Sequence, residues 1–282
     1  MMRKPAQRLA LLIAASGAVS LGCLAYESLL LQRTPAETTA RTTLTDLAMA
    51  LDSETIGKIL SPANTMRGAA NRAALRTLLP LDVASSLGSC LLAVGAVLFM
   101  RCSEALADRA AKIGVWLLCC SFLAMAFEAA LIGSIIYSGN PEASSLQALL
   151  LAAAARVRRG SAFLNAGLLC WATCNLFAPS YAITMRSLPR LLGSKDAMLP
   201  TLYGFSSVVG LLATAVPQLV FLLPLANTTL QAAWAGTTLF ATAFYFDLKL
   251  PGFEEGFEEG DGAGAATSAG EAVVNALAKK TN

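Results

Sequence analysis

Histidine is absent from this chain of 282 residues, and charged residues make up only 14% of it. A soluble domain carries about 25% charged residues. Without histidine the chain cannot form a His-ligated haem or metal site, a Ser-His-Asp triad or a histidine proton relay. The net charge of +3 is too small to indicate nucleic-acid binding. We therefore predict no cofactor and no nucleic-acid partner.

Catalytic and metal-binding motifs are also missing. The sequence contains no glycine-rich phosphate loop, no paired catalytic carboxylates and no nucleophile elbow. Of the seven cysteines, Cys170 and Cys174 are one helical turn apart, but two thiolates alone do not make a zinc site. We predict no catalytic residue and no metal ligand.

Apolar residues dominate what remains, with 56% hydrophobic residues and a mean hydropathy of +0.60. A soluble core stops growing at about 250 to 300 residues and could not hide this much apolar surface. A membrane helix needs about 20 apolar residues, and six stretches qualify: 9–31, 81–100, 113–137, 161–185, 199–223 and 229–246. The sequence thus predicts an all-α, polytopic transmembrane six-helix bundle over residues 1–250, surrounded by the lipid bilayer.

The loop charges predict the orientation of this bundle. The N-terminus, the 101–112 loop and the 186–198 loop each carry three Lys or Arg residues. On the opposite side, the 138–160 segment carries three and the 224–228 turn carries none. Because positively charged loops stay in the cytoplasm, we expect both termini there.

Two amphipathic segments are predicted on the outer face. One runs from Met66 to Leu79, where Arg72 and Arg76 share a helix face. These arginines either grip anionic headgroups or snorkel from a cap helix to the surface. The other lies within 138–160, and we expect it to turn into the fourth span at Gly160. Asp82, at the end of the second span, is read as an interfacial residue that bonds these outer helices.

The C-terminal segment 251–282 differs in composition from the bundle. It begins with two Gly-Phe-Glu-Glu repeats and continues as a Gly/Ala/Ser run. Acidic, low-complexity sequence forms no packed core, so we predict a largely disordered cytoplasmic tail. The tail either docks a protein partner or is simply solvated.

Glu128 is the leading candidate for a functional residue, because it lies inside the third apolar stretch. An ionised side chain there costs at least about 2.5 kcal/mol, so such a carboxyl group faces the bundle interior, pairs or stays protonated. Burial disfavours the charged form, and we expect a neutral Glu128. It serves either as a proton-binding or substrate-binding group or as a hydrogen-bonding tie between helices.

A depth estimate supplies candidate partners for this carboxyl group. Glu128 lies 15 residues beyond Ile113, or about 22 Å at about 1.5 Å per residue. Counted from the predicted span ends, Thr173, Thr214 and Thr237 fall at similar depth. Asn175 joins this polar site, because Pro179 frees its carbonyl group. Pro217 interrupts the fifth span in the same way, and each proline marks either a kink or a binding site.

Small residues repeat every four positions on three predicted helices, which lets helix backbones approach closely. The three stripes are Ala14, Ala18 and Gly22; Ser206, Gly210 and Thr214; and Thr229, Ala233, Thr237 and Ala241. Such faces pack helices within the bundle or against a protein partner.

The order of these features resembles an uncharacterised family of six-span bacterial integral membrane proteins, a domain of unknown function. The resemblance covers roughly residues 9–246 and is carried by short motifs: Leu81-Asp82-Val83, Phe127-Glu128-Ala129 and Ser187-Leu188-Pro189-Arg190. It implies a bacterial inner-membrane location. An arginine commonly precedes the glutamate in that family, whereas Met125 and its neighbours are apolar here, which argues against an ion pair for Glu128.

Three hypotheses about function follow. The first is a non-catalytic membrane bundle that acts as an accessory or assembly partner. The second is a small-solute or proton-coupled transporter that uses Glu128. The third is a membrane-embedded enzyme, for which the sequence shows no catalytic constellation.

Overall fold

The computed structural model describes residues 3–30, 53, 66–137, 145–177 and 198–246. These residues form six α-helices and no strand: α1 Arg3–Leu30, α2 Met66–Cys102, α3 Asp108–Tyr137, α4 Ser145–Phe177, α5 Met198–Ala215 and α6 Leu223–Phe246. A 3-10 helix, Pro217–Leu222, joins α5 to α6. The all-α prediction is confirmed for this part of the chain.

The helices form a closed ring in sequence order. Each helix packs against the one before it and the one after it, and α1 completes the ring by packing on α6. Most side chains of the main core are small or aliphatic, and several alanines such as Ala166 and Ala172 are fully buried. Small side chains let neighbouring helices approach closely, which is how membrane bundles pack.

Large apolar side chains cover the outside of the ring. Trp116, Leu123, Trp171, Phe221 and Leu239 are each more than 60% exposed. A soluble protein does not leave so much contiguous apolar surface in water. Among the described residues, five segments are long and apolar enough to cross a membrane: Pro5–Tyr26, Leu79–Cys102, Asp108–Tyr137, Met198–Ala215 and Pro217–Phe246. The chain is therefore a multi-pass membrane protein.

Helix α4 is the one ring helix that contains none of these five apolar segments. It carries three arginines in its middle, at Arg156, Arg158 and Arg159, together with Asn165 and Asn175. It nevertheless packs along both α3 and α5.

Two of the predicted helix boundaries are wrong. The amphipathic stretch from Met66 is continuous with the second span, as helix α2 runs through Pro80 without ending. Likewise α4 passes through Gly160 without a turn. The hydrogen-bonded helix continues at both points, so the two amphipathic stretches are extensions of ring helices and not separate elements.

The sequence predicted a kink or a binding site at Pro217. In the structure the helix ends there instead. Val216 adopts an extended conformation, with φ of −111° and ψ of 108°, and Pro217 then starts the 3-10 helix. Proline has no N–H to donate to the preceding turn, so the predicted fifth span 199–223 stops at Ala215. Pro179 and the tail 251–282 lie outside the described residues.

Candidate functional site: a charged seam between two helices

Helices α3 and α4 run antiparallel in a defined register. The Ser121 hydroxyl donates to the Arg158 carbonyl at 3.2 Å. Two helical turns along the pair, a Cβ on Gly114 would lie 3.2 Å from Oδ1 of Asn165. This register places Arg158 level with Ser121, near the middle of both helices, and its long side chain extends along α3 toward Glu128.

Glu128 and Arg158 form an ion pair across this seam. Nη1 of Arg158 lies 3.0 Å from Oε2 of Glu128, and the two side chains are 22% and 10% exposed. The N–H is not aligned on Oε2, so the contact is an ion pair and not a hydrogen bond. The apolar residues around Met125 had argued against an ion pair for Glu128. That prediction is wrong, because the arginine comes from the neighbouring helix.

Two further charges lie close to this pair. Arg159 is only 5% exposed, and Asp82 of α2 acts electrostatically on both arginines, as does Glu128. Nη1 and Nη2 of Arg159 are buried and have no hydrogen-bond partner among the described residues. The seam thus holds two arginines and two carboxylates, of which only Glu128 and Arg158 are in direct contact.

The charged seam separates two apolar clusters. The inner cluster is the main core, which includes Leu118 and Phe163. The outer one is smaller and contains Ile132, Ile135 and Ile136 of α3 with Ala148, Leu151 and Ala152 of α4. Charges placed between two apolar layers are poorly hydrated, which strengthens their attraction for any partner that reaches them.

The predicted partners of Glu128 lie elsewhere. The hydroxyl groups of Thr173, Thr214 and Thr237 donate to carbonyl groups of their own helices at 2.7, 2.7 and 2.9 Å. Thr237 also bonds the Tyr203 hydroxyl at 2.7 Å, which ties α5 to α6. The depth estimate counted the fourth span from Ser161, whereas α4 begins at Ser145 and includes Arg158, whose side chain reaches Glu128.

Asn175 has a structural contact at the opposite end of the seam. Its Nδ2 donates to the Ala105 carbonyl at 3.1 Å. Ala105 belongs to the short connection between α2 and α3. The contact fastens this connection to α4, and it does not join Asn175 to Glu128.

Of the predicted interfacial residues, Arg76 contacts the C-terminal end of α3. Nη2 of Arg76 donates to the Ile136 carbonyl at 3.0 Å, and its guanidinium group lies 5.6 Å from the centre of the Tyr137 ring. Arg76 therefore satisfies a carbonyl group at the C-terminal end of α3, where a cation also complements the helix dipole. The backbone of Arg72 lies in α2, and its side chain is outside the described part.

Sequence reasoning missed Arg158 and Arg159 as members of the site and did not connect Asn165 with them. The arginines were assigned to a segment outside the membrane, because a helix break was expected at Gly160. Asn165 is fully buried, and neither atom of its amide group has a hydrogen-bond partner within the described ranges. The available signal was the seven-residue spacing from Arg158 to Asn165, which puts both on one face of an unbroken helix.

Cavities and side-chain clusters elsewhere in the described ranges give no second candidate site. A cavity of about 10 Å³ between α1, α2 and α6 is lined by apolar side chains and Thr237 and has room for about one water molecule. In the described residues, no group of three or more Cys, Asp or Glu side chains could hold a metal ion. Comparisons with protein-family models, with curated proteins and with solved structures find no match.

Proposed function

We propose that the chain is a non-catalytic membrane protein with six spans that acts as an accessory or assembly partner in a bacterial inner membrane. The carrying observation is the Glu128–Arg158 contact. Glu128, the leading candidate for a functional residue, is held in an ion pair between neighbouring helices. Such an environment is typical of a residue with a structural role. Glu128 fixes the position of α4 against α3.

Helix α4 is the sixth span in this proposal. It packs along α3 and α5 as the other ring members pack along their neighbours. Its arginines meet the carboxylates of α2 and α3, and intramembrane charges are tolerated when they pair inside a bundle. Six spans place both termini on the same side, and the loop charges favour the cytoplasm.

Cysteine labelling tests this topology. In a variant with its seven native cysteines replaced, single cysteines are introduced at Ser144 and Ser194. We expect a membrane-impermeant maleimide to label Ser144→Cys in intact cells and Ser194→Cys only after permeabilisation. Labelling of Ser194→Cys in intact cells contradicts six spans with cytoplasmic termini.

The first helix offers a surface for a protein partner. Ala18 and Gly22 are exposed and Ala14 is half-buried, so this small-residue stripe is not used inside the ring. Nothing lies within 4 Å of a Cβ built on Gly22. A partner helix can approach such a face closely, and the acidic tail 251–282 is a second proposed docking segment.

Purification in a gentle detergent with mass spectrometry tests the partner. A stoichiometric protein should co-purify with the wild type and be lost from Ala18→Leu, whose added bulk blocks the stripe. Val19→Leu is the matched control, because Val19 is 53% exposed on the same helix. Retention of the partner by Ala18→Leu excludes the stripe, and absence of any stoichiometric protein contradicts the accessory role.

A small-solute or proton-coupled transporter is the second candidate, and one observation favours it. All five buried side-chain atoms without a hydrogen-bond partner in the described part belong to Glu128, Arg159 and Asn165. They lie along the single seam between α3 and α4. In a transporter Glu128→Gln abolishes proton-coupled uptake into proteoliposomes, because glutamine does not titrate.

A further inference from the structure

Arg159 is the buried charge that the Glu128–Arg158 pair leaves over. Its side chain is 5% exposed, and both terminal nitrogens are shielded without a hydrogen-bond partner in the described part of the chain. A guanidinium group stays protonated in proteins. An unpaired charge in an apolar layer is costly, so such groups are found paired or bound to a ligand.

The charged groups around Arg159 do not supply that partner. Arg158 repels it, while Glu128 and Asp82 attract it. Glu128 is already paired with Arg158 at 3.0 Å. Asp82 is partly exposed and lies beyond ion-pair distance in the described structure. We propose that Arg159 binds the carboxylate group of a small monovalent organic acid, a site that does not depend on the number of spans.

The geometry of the free nitrogens selects a carboxylate. Nη1 and Nη2 lie at the forked end of the guanidinium group, and this fork binds the two oxygens of a planar carboxylate in parallel. Asp82 and Glu128 set the charge of the ligand. The carboxylates of Asp82 and Glu128 repel any anion that binds here. The repulsion energy is twice as large for a dianion such as sulfate as for a monoanion at the same position.

Helix α5 ends at the level of Arg159. The ring of Phe163 occupies the space where a Cβ on Gly210 would lie, so α4 and α5 are in close contact there. One turn along α4, Arg159 is level with Ala215, the last residue of α5. In this proposal a carboxylate approaches Arg159 beside the α5–α6 turn, either from water or as the head of a fatty acid in the membrane.

Binding of acetate and of decanoate tests the site and separates these two sources. The full-length protein is placed in phosphatidylcholine nanodiscs, and saturable binding of each radiolabelled acid is measured above empty discs. We expect saturable binding of at least one acid and a loss of affinity of about tenfold or more in Arg159→Met. Arg156→Met, on the exposed face of the same helix, is the matched control and should bind like the wild type.

The outcomes are distinct. Acetate binding supports a water-borne ligand, and binding of decanoate alone supports one from the lipid phase. No saturable binding of either acid overturns the proposal, as does equal binding by Arg159→Met. Displacement of the acid by sulfate at equal concentration overturns the assignment to a monoanion.

Thermal unfolding of the variants provides a second readout. Without any added acid, Arg159→Met should unfold at or above the temperature of the wild type, because the substitution removes an uncompensated charge. A marked fall would show that Arg159 is paired with a group of the protein itself, and the carboxylate site would then be withdrawn. The structural role of Glu128 is tested separately, by the stability of the Glu128 variants.

Discussion

On one side of the ring, α1, α2 and α6 are joined by small residues and aromatic rings. Ser20 and Ser89 bond at 2.8 Å, Gly88 lies against the backbone of α1, and the rings of Phe99 and Phe244 meet edge to face at 5.3 Å. On the other side, α3 and α4 meet through charges. The first seam is specified by shape over many contacts, whereas the second adds a buried ion pair to its apolar packing.

This difference predicts how each seam fails. A seam of many small contacts loses stability in proportion to the overlap or the gap that a substitution creates. A seam held by a buried ion pair is sensitive to the loss of either partner and tolerant of the loss of both. Four predictions test that contrast.

The largest effect is expected for Glu128→Leu. It leaves Arg158, a mostly buried guanidinium group that cannot lose its proton, without its carboxylate partner. We expect the free energy of unfolding in detergent to fall by about 3 kcal/mol or more. Glu128→Gln should also destabilise, because it removes the same charge; a silent Glu128→Gln would mean that only a neutral hydrogen bond links the helices.

The double variant Glu128→Leu with Arg158→Met is the control for this prediction. Two apolar residues of similar volume replace the pair, so no charge is left unpaired at this contact. The double variant should recover most of the stability lost by Glu128→Leu. Additive losses would show that the two residues act independently.

A substitution at Gly17 should have the next largest effect. A Cβ at Gly17 would overlap the Thr238 side chain of α6, so Gly17→Ala forces α1 and α6 apart. We expect a loss of about 1–3 kcal/mol in the same unfolding assay. Gly22→Ala is the matched control on the same helix and should be neutral, because nothing lies within 4 Å of its Cβ.

Asn175→Ala should have a smaller and more local effect. It removes the hydrogen bond to the Ala105 carbonyl, which is worth about 1 kcal/mol. Hydrogen–deuterium exchange should accelerate in residues 103–107 and stay unchanged in the outer half of α3. Faster exchange throughout α3 would show that Asn175 supports the whole seam.

Valine substitutions at the predicted site threonines should have the smallest effect. The hydroxyl groups of Thr173 and Thr214 bond carbonyl groups of their own helices, and the helix is complete without these bonds. Thr173→Val and Thr214→Val should each change the free energy of unfolding by less than about 0.5 kcal/mol. A large loss in either variant would place its hydroxyl group in contact with the charged seam.

The sequence allowed the class of protein to be predicted because apolar stretches are a property of composition. The predicted spans 81–100 and 113–137 lie close to the apolar segments Leu79–Cys102 and Asp108–Tyr137 for that reason. The register between helices could not be obtained, since it depends on where α4 begins. Gly160 favours a helix break locally, but packing of α4 against α3 and α5 keeps the helix intact. Arg158 was therefore assigned to the wrong depth, and Glu128 to the wrong partners.

The unequal lengths of the ring helices have a consequence for the surrounding lipid. Helix α5 has 18 residues and spans about 27 Å, whereas α3 has 30 residues and spans about 45 Å. A bilayer with a hydrocarbon core of about 30 Å matches the first and falls short of the second. The other ring helices are all longer than α5, with 24 residues in α6 and 28 to 37 in α1, α2, α3 and α4. The lipid is therefore expected to be least perturbed beside α5, while around the rest of the ring the bilayer thickens or the helices tilt.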